Sequence, residues 1–195
     1  MDDLELRGKK IIEACMKETT ASPYQIFRNL AKMDFVRMHG PEHHVLDGAC
    51  ILTAYRNAGG EIDLEPALEE LLDRGLEMPG AMCGMWGVCG ATASVGAALS
   101  ILEGTGPLTA DDSWGSHMEY TSAALKGLSK IGGPRCCKRD AYVSLETAID
   151  YIRKRYGVTL EKDGITCGFF PQNEQCKKED CPYYPKAKQT ASSAS

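Results

Sequence analysis

Apolar positions recur at helical spacing along most of the chain. Residues 4–18, LELRGKKIIEACMKE, put Leu4, Ile11, Ile12 and Cys15 on one apolar side. SPYQIFRNLAKM opens with Ser22 in the N-cap position and Pro23 at the first helical position, where a missing N–H does no harm. EHHVLDGACILTAYRNA, from Glu42 to Ala58, predicts a longer helix stopped by Gly59 and Gly60, and Asp63 is placed to cap LEPALEELLDRGLE. Further on, DDSWGSHMEYTSAALKGLSKIGG predicts a capped helix ending at Gly132, and DAYVSLETAIDYIRKRYG predicts another ended by Gly157. Strand alternation is confined to one short candidate, GVTLE. The pattern predicts an all-α fold: a single helical-bundle domain over residues 1–185, with a cysteine-rich, loop-like C-terminal segment. The small polar residues of AKQTASSAS, within 186–195, predict a disordered tail.

One stretch breaks the amphipathic pattern. GAMCGMWGVCGATASVGAALSIL, from Gly80 to Leu102, carries no charge at all. Its length matches a bilayer crossing, but five glycines make it weakly hydrophobic for that purpose, and acids rather than bases flank it. The better reading is a glycine-rich loop, MPGAMCGMWG, feeding a core helix from about Cys89 to Leu102. Gly90, Ala93, Ser94 and Ala97 would let neighbours approach its backbone closely. Trp86 and Trp114, both near turns, are expected to pack rather than line a pocket.

Charge and composition narrow the function classes. The formal charge of −5 argues against nucleic acid or an anionic membrane surface as the main partner. The opening MDDLELRGKK has acids before any apolar run, unlike a secretory or transit peptide, so a cytoplasmic protein is the expectation. GTGPLT is too short for a phosphate-binding loop and lacks its lysine, and no dinucleotide fingerprint is present. Nine cysteines are the unusual feature. In a reducing compartment an odd number of thiols points to metal or redox chemistry rather than to a disulfide framework.

The strongest chemical signal is CGFFPQNEQCKKEDCPYY, with Cys167, Cys176 and Cys181 in one loop-rich segment. Thiolates are soft donors suited to zinc or to iron–sulfur clusters. The spacing is wider than that of zinc knuckles, which suits a cluster, most simply 4Fe-4S. GGPRCCKR supplies the fourth ligand, Cys137 or else Cys136, within a metal-binding segment of about 133–185. Arg135, Lys138 and Arg139 would favour the thiolate form. Adjacent cysteines rarely bind one mononuclear ion together, so one of the two is spare or serves a second site.

A second constellation lies in HGPEHHVLDGAC. On a helix His43, Asp47 and Cys50 share one face, with His44 pointing elsewhere, and a His–carboxylate pair one turn apart can handle protons or hold a metal. Cys89, at a helix N-terminus, is expected to have a lowered thiol pKa. Cys50, Cys83 and Cys89 facing one cavity would form a reactive-thiol pocket or a second metal site, with His43 and Asp47 moving protons. Cys15 belongs to the core.

HHVLDGACILTAYRNAGG, MPGAMCGMWGVCGA, GGPRCCKR and CGFFPQNEQCKKEDCPYY together resemble a family of anaerobic bacteria and methanogenic archaea known only by a domain-of-unknown-function label. The resemblance runs from about His39 to Tyr184. Such proteins occur beside methyltransferase-like or radical-chemistry proteins, and the resemblance implies no established activity. More distantly the chain is similar to the putative redox family named for a C-GCAxxG-C-C pattern, through Cys50, Cys89 and the Cys136–Cys137 pair. Two functions are therefore expected. One is an iron–sulfur redox protein, with or without activity as an oxidoreductase or sulfur-transfer enzyme on a small thiol or sulfur compound, served by an electron-transfer partner. The other is a zinc-stapled accessory module docking onto a methyl-transfer or radical enzyme.

Overall fold

The computed structural model describes residues 3–185, and the predicted tail lies outside them. Eight α-helices follow in order: α1 Asp3–Cys15, α2 Pro23–Leu30, α3 His43–Asn57, α4 Leu64–Leu76, α5 Met82–Met85, α6 Gly90–Glu103, α7 Ser113–Ile131 and α8 Cys137–Tyr156. Two short 3₁₀ turns, Phe170–Gln172 and Lys178–Asp180, punctuate the C-terminal segment. No strand occurs among the described residues. GVTLE is an extended connection whose Glu161 N–H donates to Ala21 O at 3.1 Å, a single bond where a ladder would need several.

Helix α3 is the axis of the molecule. Of its 15 residues 13 are buried, because α1, α2, α4, α6 and α8 surround it. Its sequence has no polar face to turn to water, so only an enclosed position suits it. α6 packs directly against α3 through small residues. The N–H of Gly48 donates to Ser94 Oγ at 2.9 Å, and a Cβ on Gly48 would lie 2.5 Å from Ser94 O. α7 and α8 cover the other side of α6. Ile11, Leu30, Leu46, Ile51, Leu68, Leu99, Leu145 and Ile152, all buried, join into one contiguous core. Among the described residues no helix is long and apolar enough to cross a membrane.

Helix ends follow the expected chemistry with two differences. Ser22 Oγ accepts the Gln25 N–H at 3.2 Å and Pro23 opens α2. Gly104 and Gly157 close α6 and α8 at φ +61° and +70°, where a side chain would be strained. Asp63 and Asp112 occupy the N-cap positions of α4 and α7, yet neither side chain accepts a capping bond. Trp86 and Trp114 do not pack into the interior; they are 64% and 45% exposed.

Candidate functional site

Both candidate clusters meet at the N-terminal end of α8. Cys136 takes the N-cap position in extended conformation (φ −152°, ψ 98°), and its sulfur accepts the Arg139 N–H at 3.4 Å, as a serine oxygen would. Cys137 is the first helical residue. The backbone changes from extended to helical between them, so the adjacent side chains diverge and line different cavities.

The first cavity gathers Cys136 with Cys167, Cys176 and Cys181, walled by Tyr142 and Phe169. The sequence leaves Cys137, or else Cys136, as the fourth member; the extended N-cap residue Cys136 lines this cavity and Cys137 lines the other. N–H donors reach three of the four sulfurs. Asn173 Nδ2 donates to Cys136 Sγ at 3.4 Å, Phe169 N to Cys167 Sγ at 3.4 Å and Lys178 N to Cys176 Sγ at 3.3 Å. Asn173 is itself held, its Oδ1 accepting Gln175 N at 3.0 Å and facing His39 Nε2 at 3.2 Å. The segment's ends are tied where Cys167 N donates to Tyr183 O at 2.7 Å. Burial pushes the Cys136 and Cys167 thiols up, against the pull of these N–H groups. The neighbouring cations therefore do not make thiolates of them unaided.

Four soft sulfurs with N–H donors around them are a donor set suited to a thiolate-bound metal centre. As the side chains stand they enclose about 20 Å³, roughly the space of one water-sized sphere. Among the described residues no three His, Cys, Asp or Glu side chains are closed around a single ion. The donor set fits a cluster in kind, and the ring of sulfurs would have to widen to take one.

The second cavity, about 40 Å³, is lined by His43, His44, Cys83, Cys89, Cys137 and Asp140. His44, expected to point away, is brought in. Its ring lies against Gly90, where a Cβ would stand 2.1 Å from Nε2, and its Nδ1 faces Met78 O at 3.2 Å. Cys50 is not there: it is 0% exposed, packed in the core near Cys15, because the middle of α3 is enclosed on every side. Cys89 occupies the N-cap position of α6 without a side-chain capping bond, and its thiol donates weakly to Asp140 Oδ2 at 3.8 Å. Burial and then the Asp140 charge push its pKa up, outweighing the amides of Thr92 and Ala91 that were expected to lower it. Burial also holds Cys137 high, at about 12.

A polar file runs between the two cavities. Lys138, only 1% exposed, lines the sulfur cavity, and its Nζ meets His43 Nε2 at 3.1 Å and donates to Arg37 O at 2.9 Å. The Phe169 ring lies 5.2 Å from that ammonium. Burial lowers the Lys138 pKa to about 8, with the Asp47 charge opposing. On the far side of His43, Nδ1 stands 3.5 Å from Asp47 Oδ1. Asp47 is wholly buried and, among the described residues, neither of its oxygens has a hydrogen-bond partner. Asp140 and Asn173 are site residues that no sequence motif marks; the one available signal is the position of Asp140, one turn after Cys136.

Residues 11–184 match the model of DUF5714, a family of unknown function. The chain belongs to that family. No curated protein and no solved structure matches it. In this DUF5714 protein the matched span contains both cavities and ends at Tyr184, which lines the sulfur cavity.

Proposed function

We propose that this DUF5714 protein is a cytoplasmic iron–sulfur redox protein, its centre held by Cys136, Cys167, Cys176 and Cys181 and serving a thiol pocket formed by Cys83, Cys89 and Cys137. One observation carries the reading: Cys136, remote in sequence, lines the same cavity as the three C-terminal cysteines. Soft-donor chemistry and N–H donors aimed at sulfur support iron–sulfur ligation. When bound, such a centre supplies one-electron transfer. The chain's own part is to hold and insulate it. Asn173 and the backbone amides of Phe169 and Lys178 would offset negative charge on the sulfurs, and Tyr142 and Phe169 keep water out. Lys138, His43 and Asp47 would hold protons between that cavity and the thiol pocket, where a small sulfur compound is the substrate.

Oxygen-free purification followed by iron and acid-labile sulfide analysis tests the proposal. A brown protein containing both supports it. Colourless protein carrying stoichiometric zinc, and no iron after anaerobic reconstitution, overturns it in favour of a zinc-stapled module.

A further inference from the structure

The thiol pocket is not closed. It opens into a groove of about 640 Å³ between the α5 loop and the C-terminal half of α7, and Cys83, Cys89, Arg135 and Asp140 line both spaces. Cys83 is half-buried at this junction and Cys89 is buried behind it. Leu125 and Leu128 give the groove an apolar wall, while Lys126 and Arg135 bring positive charge. Among the described residues neither cation has an ion-pair partner, unlike Arg139, which is bound to Asp140 at 2.9 Å. Gly84 and Gly133 edge the groove, and a Cβ on either would meet nothing within 4 Å, so the rim is open.

We infer that this groove admits a small disulfide bearing carboxylate groups, which Cys83 and Cys89 reduce by exchange. The inference rests on the redox reading above for regeneration of the thiols. Apolar walls suit the body of such a molecule, Arg135 stands where its carboxylate would approach the thiols, and two sulfurs of unequal depth supply an attacker and a resolver. Cys83 attacks one substrate sulfur, the substrate S–S bond breaks, and the first product thiol leaves. Cys89 then attacks Cys83 in the mixed disulfide and releases the second. The substrate gains two electrons and the protons of the two cysteines, and the chain is left with a Cys83–Cys89 disulfide. Two electrons from a low-potential one-electron carrier, with two protons, restore the thiols. A thiolate attacking a disulfide sulfur is the ordinary route of such exchange.

The test uses the full chain, purified without oxygen, and two probes: dithiobis(nitrobenzoate), a dianion, and dipyridyl disulfide, which is neutral. Mass spectrometry should find a Cys83–Cys89 bond after reaction of the unaltered protein, and a mixed disulfide halted on Cys83 in Cys89→Ser. Arg135→Gln should slow the dianion about tenfold, the worth of one charge-assisted contact, and the neutral probe less than twofold. Gly84→Trp, at an open position, should slow both. An unreactive Cys83, or an Arg135→Gln effect equal for both probes, overturns the inference. Iron and sulfide are measured on the same samples. Exchange at Cys83 without iron defeats only the metal centre, and iron with an inert Cys83 defeats only the exchange.

Discussion

Replacing Asp47 by asparagine should make the protein more stable at neutral pH, although it removes a group from the site. The Asp47 carboxyl is 0% exposed, neither oxygen has a hydrogen-bond partner among the described residues, and His43 Nδ1 lies 3.5 Å from Oδ1. Burial raises its pKa above the usual 3.8, and His43 and Lys138 only partly oppose that. The folded chain thus holds this proton more tightly than the unfolded chain. The carboxyl's stabilising contribution is complete below about pH 4 and is lost as pH climbs through the raised folded value. A buried, unpaired carboxylate costs several kcal/mol after relaxation, whereas an unsatisfied amide costs about 1–3 kcal/mol. The substitution should therefore gain roughly 1–3 kcal/mol near pH 8, with Tm rising about 2–4 °C for each kcal/mol in a chain of this size. Thermal unfolding followed by circular dichroism, on protein freed of metal by chelation, measures it at pH 4 and pH 8. The gain should appear at pH 8 and vanish at pH 4. A variant less stable than the parent at pH 8, or a difference independent of pH, would refute the reasoning.

Gly48→Ala should destabilise by about 1–2 kcal/mol, since overpacking against Ser94 O at 2.5 Å and Leu71 Cδ2 at 3.0 Å exceeds the helix-propensity gain of about 1 kcal/mol. Gly115→Ala in α7, where a Cβ meets nothing within 4 Å, should instead stabilise by about 0.5–1 kcal/mol; urea midpoints of the pair give both signs. Arg37→Met should cost about 3 kcal/mol, because Glu42 is fully buried and accepts Arg37 Nη2 as well as its backbone N–H at 2.7 Å. Burial raises the Glu42 pKa, but those bonds more than offset it and leave it lowered. The contribution is thus present above pH 4.5 and lost as pH falls, so the parent's advantage over Arg37→Met should shrink in acid.

Much of this architecture is legible in the sequence because helices are local. Ser22–Pro23 and the glycines at 59, 132 and 157 mark ends that periodicity alone leaves vague. α8 starts about one turn before DAYVSLETAIDYIRKRYG because a cysteine sulfur, not an oxygen, caps it. The same detail decides which of Cys136 and Cys137 joins the C-terminal trio, since it depends on where extended backbone becomes helical. A fourth cysteine near the trio is expected from sequence, but sequence does not choose between the two. Helical spacing puts His43, Asp47 and Cys50 on one face of α3 but says nothing of what surrounds each turn. Enclosure divides that face between a polar cavity at His43 and apolar core at Cys50. The placing of His44 against Gly90 is purely tertiary, made by the crossing of α3 and α6. Desolvation, which only the folded burial reveals, likewise reversed the expected shift at Cys89.

Anaerobic reconstitution of Cys136→Ala beside Cys137→Ala, with iron and sulfide counted per chain, bears most directly on the sulfur-lined centre. Cys137→Ala should keep the parent's iron and sulfide, and Cys136→Ala should lose most of both while its helical circular dichroism is retained. Equal retention by both variants, or loss confined to Cys137→Ala, would contradict a centre built on Cys136, Cys167, Cys176 and Cys181.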